Sequence, residues 1–210
     1  MERTTRDQEL LETLAHKVRV LSLEQIARTW WAGSTDPKSA TRDRLMRLCH
    51  AGLLDRRVAI TDPMIELRAP VVAWRPGQSD PDPEGVSRVL LSRWGGKPRR
   101  TAVFAATGRT KAQIGGGQAK FSPLGHETHD LHVAELYLLA RERDPERARR
   151  WLGEDVYAAE RVGEKLPDAM LVGDDGRPQL IIEFAGRYSP EHVWSFHLDC
   201  EERGTAYELW

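Results

Sequence analysis

Two acidic residues near the end of the chain stand where side chains could do chemistry. Asp168 follows Pro167 and opens the hydrophobic run Ala169-Met170-Leu171-Val172, and Glu183 closes the next run, Leu180-Ile181-Ile182. Between them Asp174-Asp175-Gly176-Arg177-Pro178 is a hairpin signal. A third acid, Glu135, falls four residues after Leu131 and three before Leu138, on the apolar side of a helical pattern. A carboxylate in such a place needs a partner, a proton or a metal ion. Carboxylates are hard oxygen donors that suit Mg²⁺ or Mn²⁺, and an ion held this way activates water and neutralises nearby negative charge.

The elements that must position these acids follow from periodicity. Residues 127–141 carry Leu131, Ala134, Leu138 and Leu139 at helical spacing. Asp144-Pro145 breaks that helix and starts a short one running through Trp151. Strands are expected at 155–161, 169–173 and 179–184. Ser189-Pro190-Glu191 then starts a helix with an N-cap, a proline in the first turn and an acid beside it. That helix ends at Gly204, and 205–210 is a last strand.

The first third predicts three helices and a hairpin. Leu10, Leu11, Leu14 and Val18 share a helical stripe. Ser22 with Gln25 forms a capping box for a helix over 23–31, with Trp30 and Trp31 as core and rim aromatics. A third helix begins near Pro37 and stops at Gly52. Residues 53–60 then read as a strand, with 65–74 as its returning partner. Residues 75–84 are rich in Pro and Asp and read as a linker or ordered loop, and 86–94 as an amphipathic helix.

Charge is segregated. The net charge is −1, yet no Asp or Glu occurs between Gly85 and His126, where Arg88, Arg93, Lys97, Arg99, Arg100, Arg109, Lys111 and Lys120 all fall. After Glu127 acids outnumber bases. A cationic middle beside an acidic end suits a phosphate-binding surface next to a cation site. Cys49 and Cys200 lie far apart with no paired spacing, which suits a reducing cytoplasm and excludes a multi-cysteine zinc site. The charged opening Met1-Glu2-Arg3 predicts no secretory signal, and no run is apolar enough to span a membrane. His126, His129 and His132 recur every three residues without converging, and no zinc-ligand spacing completes them.

Helix, three strands, helix, strand, with Asp168 and Glu183 at the strand ends, resembles the core of the PD-(D/E)xK nuclease superfamily. The resemblance implies that Asp168 and Glu183 bind Mg²⁺ or Mn²⁺, with Glu135 as the additional acid of the first helix. It also implies a lysine two residues after Glu183, where Ala185 stands. Lys165, Arg187 and His197 are the candidate substitutes; arginine is a poor proton acceptor, which favours Lys165.

Three helices before a hairpin, with Leu48-Cys49-His50-Ala51-Gly52-Leu53-Leu54 closing the third, resemble bacterial winged-helix regulators. That resemblance places Lys38, Ser39, Thr41 and Arg42 at the start of a recognition helix. Arg56 and Arg57 would lie on the wing, contacting phosphates, with Arg99 and Arg100 on the basic segment behind. The combination is similar to the replication-relaxation family of plasmid and mobile-element proteins, matched at 39–54, at His129-Asp130-Leu131-His132-Val133-Ala134-Glu135 and from Pro167 to Glu183.

The expected architecture is therefore α+β or α/β: a winged helix-turn-helix over 1–75, a basic connector over 76–126 and a restriction-endonuclease-like αβββαβ core over 127–210. Three functions compete. The first is a cytoplasmic protein that binds double-stranded DNA and uses its nuclease-like unit as a DNA-binding or dimerisation platform, with a homodimer among the expected assemblies. The second is an active Mg²⁺-dependent endonuclease using Asp168, Glu183, Glu135 and Lys165. The third is a protein-interaction module, which requires the basic middle to be buried or neutralised.

Overall fold

The N-terminal helices begin where side chains can cap them. In the computed structural model, which describes residues 2–117, 121, 124–157 and 166–210, α1 (Thr5–His16) is opened by Thr4, and Thr4 and Asp7 bond each other's backbone N–H groups. Strand β1 (Leu21–Ser22) leads into α2 (Leu23–Trp30), where Ser22 and Gln25 make the expected capping box. Asp36 caps α3 (Pro37–His50), which carries its proline in the first turn. Gly52, at φ 69°, lets the chain turn directly into β2 (Leu54–Thr61). Leu10, Leu14, Ile26, Leu45 and Leu48 are wholly buried between these helices, and Trp30 and Trp31 are buried beside them.

The strand expected to return beside β2 does not do so. Beyond β2 the chain forms β3 (Val72–Trp74), α4 (Pro83–Ser92), β4 (Arg99–Ala106) and α5 (Gly108–Gln113). It is β4 that pairs antiparallel with all of β2, with Leu54 opposite Ala106 and Thr61 opposite Arg99. Its other edge takes β1, so the sheet order is β1-β4-β2. Pro63 and Pro70 explain the change, because neither can donate to a strand ladder. Val103, Phe104 and Ala105 of β4, by contrast, are apolar and fully buried. The segment expected to be a connector thus supplies the central strand of the first sheet.

The remaining elements build a second sheet. They are α6 (Glu127–Arg143), α7 (Pro145–Arg150), β5 (Trp151–Gly153), α8 (Glu154–Tyr157), β6 (Ala169–Val172), β7 (Pro178–Glu183), α9 (Pro190–Glu202) and β8 (Ala206–Leu209). The order is β3-β8-β7-β6-β5; β5, β6 and β7 are successively antiparallel, and β7 and β8 are parallel across the α9 crossover. The first strand lies at 151–153 and not at 155–161: Trp151 is buried against Tyr137 and its indole donates to the Lys17 carbonyl (3.0 Å). The acids that follow it form α8, and 158–161 lie outside the described residues.

Alternation along β7 divides the interior. Ile182 faces the larger core, with Ala134 and Tyr137 of α6 and the N-terminal helices, while Ile181 faces a second core with Val86, Leu90, Val193 and Phe196 of α4 and α9. The second sheet is therefore covered by α6 on one face and by α4 and α9 on the other. Among the described residues no helix is long and apolar enough to cross a membrane.

Candidate functional site

The hairpin β6–β7 brings Asp168 and Glu183 side by side. The Asp168 N–H donates to Glu183 Oε2 (3.1 Å), and the Phe184 N–H donates to Asp168 Oδ2 (2.8 Å). Before the strand, the Tyr157 hydroxyl donates to the Pro167 carbonyl and holds the entering turn. Glu183 is buried, and its second oxygen accepts from the Tyr188 hydroxyl. Burial first, and then the neighbouring Asp168 charge, push the Glu183 carboxyl above its ordinary range.

Asp168 looks the other way, toward α6. His129 Nε2 lies 3.2 Å from Asp168 Oδ2, and His129 Nδ1 lies 3.6 Å from Asp130 Oδ1. Burial opposes a charge on His129, but Asp168 and Asp130 outweigh it and raise the imidazole to about 11. The residue next to Asp168 is thus an imidazolium at neutral pH.

A cleft of about 30 Å³, room for about one water, opens beside Asp168 and is lined also by Arg19, Asp130, Glu154 and Asp155. Arg19, from the loop after α1, reaches into these acids: 2.7 Å to Asp155, 2.8 Å to Glu154 and 4.0 Å to Asp130. Lys111 lies 3.2 Å from Asp155 and is itself buried. The cleft walls close tightly. A Cβ on Gly153 would sit 2.5 Å from the Lys17 carbonyl oxygen, and the Lys17 ammonium donates to the Arg149 (3.0 Å) and Trp151 (2.6 Å) carbonyls.

Other expected site residues are placed elsewhere. Glu135 has found a protein partner: it accepts from Gln25 (3.0 Å) and pairs with Arg28. Ala185 is buried in the cluster beneath α4 and α9, and its methyl side chain offers no proton acceptor. Lys165 lies outside the described residues. Arg187 pairs with Asp62 (3.2 Å) and stacks over Trp94 (4.2 Å). His129 and His132 both pack against Phe184 but make different polar contacts. His132 is stacked on Phe184, accepts the Ile65 N–H at Nε2 (3.0 Å) and donates from Nδ1 to the Thr128 carbonyl. Burial lowers it to about 4.

Mg²⁺ takes near-octahedral oxygens at about 2.0–2.1 Å. Glu183 commits both oxygens to protein donors, Asp168 commits Oδ2 twice, and the flanking acids face Arg19 and Lys111. Placed in this way, the residues do not fit such an ion. Sequence reasoning missed His129, Arg19 and Tyr188 as members of the site. His129 sits in a block already singled out, but the carboxylate it faces is 39 positions away by number; nothing local signals that contact.

Of the residues expected to face DNA, Arg42, Arg56 and Arg100 are exposed. Lys38 and Arg99 are exposed but share Glu24, at 3.1 and 3.3 Å. Ser39 is half-buried. Thr41 is fully buried with its hydroxyl on the Pro37 carbonyl (2.6 Å), which corrects its placement on an exposed recognition surface. Arg57 is half-buried, 3.0 Å from Glu127 and stacked over Phe121. Within the basic segment Arg88, Lys97 and Arg109 are exposed, whereas Lys111 is neutralised. Compared with protein-family models, curated proteins and solved structures, the chain gives no match.

Proposed function

We propose that this chain binds double-stranded DNA through a winged helix-turn-helix and carries a PD-(D/E)xK-like unit whose nuclease chemistry has been lost, as in plasmid or mobile-element replication and regulatory proteins. The observation that carries the DNA reading is a set of exposed cations on α3 and the strand it leads into. Arg42, Arg47 and Arg56 are exposed and have no ion-pair partner among the described residues. Uncommitted arginines on a helix that ends in a strand ladder supply the phosphate contacts on which affinity rests.

The strand order β1-β4-β2, with α3 running into β2, supports the winged-helix reading. The run α6, β5, β6, β7, α9, β8 supports the nuclease-like one. The missing lysine, the buried Ala185 and the committed oxygens of Asp168 and Glu183 favour a degenerate site. The endonuclease reading retains one observation: Asp168 borders a cleft that admits a water.

The test is fluorescence anisotropy with a labelled duplex at roughly 50 and 200 mM salt. Binding should weaken steeply with salt, and Arg42→Ala/Arg56→Ala should make the log–log salt slope shallower by about 2. Absence of binding at the lower salt would sink the DNA reading and leave the interaction-module alternative.

A further inference from the structure

Away from the acidic cleft, three potential ligands converge where the loop before α4 meets α9. His197 is fully buried, and its Nε2 points out at Asp80 Oδ1, 3.3 Å away. Glu201 is four residues further along α9, so its carboxylate shares the His197 face of the helix. One ligand atom from each of Asp80, His197 and Glu201 lies within 4.8 Å of the other two, and both acids are exposed.

We propose that these residues form a binding site for a first-row transition ion of the zinc class. A tetrahedral Zn²⁺ site, with bonds of about 2.0–2.1 Å, needs ligand atoms about 3.3 Å apart. The two acids reach that spacing by rotating exposed side chains, while the histidine stays fixed. The fixed ligand is the better-built part. His197 Nδ1 lies 3.2 Å from the Tyr207 hydroxyl, and the ring is walled by Trp74 (5.0 Å) and Trp194 (5.3 Å) between centroids. With Nδ1–H donating to the phenol oxygen, the Nε2 lone pair faces the carboxylates, the outer-shell arrangement that orients a metal-bound imidazole. Two carboxylates and a neutral imidazole balance a divalent charge and leave a fourth position for water. A bound ion would fasten the loop carrying Asp80 to α9 and so stabilise the fold. An imidazole in the set favours zinc-class ions over Mg²⁺.

The experiment is calorimetric titration of the full chain with ZnCl₂, alongside its thermal melting with and without the ion. One equivalent should bind and raise the melting temperature, excess Mg²⁺ should not compete, and Asp80→Asn and Glu201→Gln should each weaken binding at least tenfold. Both substitutions fall on exposed side chains, so folding is not at stake; Glu12→Gln, at an exposed carboxylate on α1, should leave Zn²⁺ binding unchanged. No saturable binding, wild-type affinity in both surface variants, or loss of binding in Glu12→Gln would overturn the assignment.

Discussion

Asp168 and Glu183 are clamped reciprocally: the Asp168 N–H donates to the Glu183 carboxylate at 3.1 Å, and the residue after Glu183 returns an N–H to the Asp168 carboxylate at 2.8 Å. Each acid thereby fixes the strand end that carries the other. With Tyr188 on Glu183 and His129 on Asp168, the pair is a structural lock between β6, β7 and α6.

The lock predicts an unusual pH response. Glu183 is held above its ordinary value of 4.5 in the folded chain, so its contribution to stability is full below that value and falls as pH rises above it. Glu183→Gln mimics the protonated acid: its amide can donate to the Tyr188 oxygen and its carbonyl can accept from Asp168. Melting curves across pH should show the variant matching wild type in acid and exceeding it by about 3 °C or more in mild alkali. Glu183→Ala, which strands the Asp168 N–H and the Tyr188 hydroxyl, should melt lower at every pH. A Gln variant that is less stable throughout would contradict a buried proton.

Arg19 serves as the cation of the acidic cleft. Burial works against its charge, but Asp155, Glu154 and Asp130 outweigh burial and raise its pKa further. Arg19→Gln should cost about 2 kcal/mol, below the range for fully buried pairs because the side chain retains 24 % exposure. In a chain of this length that is about 4–8 °C of melting temperature. Added Mg²⁺ or Mn²⁺ should recover part of the loss in the variant and leave wild type unmoved. An equal shift in both proteins would mean that the guanidinium does not occupy a cation's place.

The cleft wall gives an independent check on how the N-terminal helices dock. Gly153→Ala puts a methyl 2.5 Å from the Lys17 carbonyl oxygen, a backbone atom that can yield only by moving the segment after α1. Overpacking of this sort costs about 1–3 kcal/mol. Denaturant midpoints should fall accordingly, and an unchanged midpoint would place the two halves further apart than the structure has them.

Much of this architecture was legible locally. Capping chemistry marked the starts of α2 and α9, where Ser22 and Ser189 accept from nearby backbone N–H groups, and Pro37 marked the start of α3, where the first turn needs no N–H from it. Gly176 and Gly204, both at positive φ, marked the turn of the β6–β7 hairpin and the end of α9. What failed was pairing at a distance. The partner of β2 lies 38 residues beyond its end, past a segment that first adds β3 to the other sheet. Periodicity reports which face of an element is apolar but not which element covers it. The same holds for the site. The acids were visible as types at strand ends, whereas Arg19 and His129 are brought to them only by tertiary packing.

Whether this chain binds DNA and lacks nuclease chemistry, as proposed, is decided on supercoiled plasmid. Purified protein would be incubated with plasmid and Mn²⁺ at low salt, resolved on a gel before and after deproteinisation, and compared with Asp168→Ala. Retarded DNA before deproteinisation and intact supercoiled plasmid afterwards are expected for both proteins. Nicked or linear DNA that requires the metal ion and disappears in Asp168→Ala would contradict the proposal.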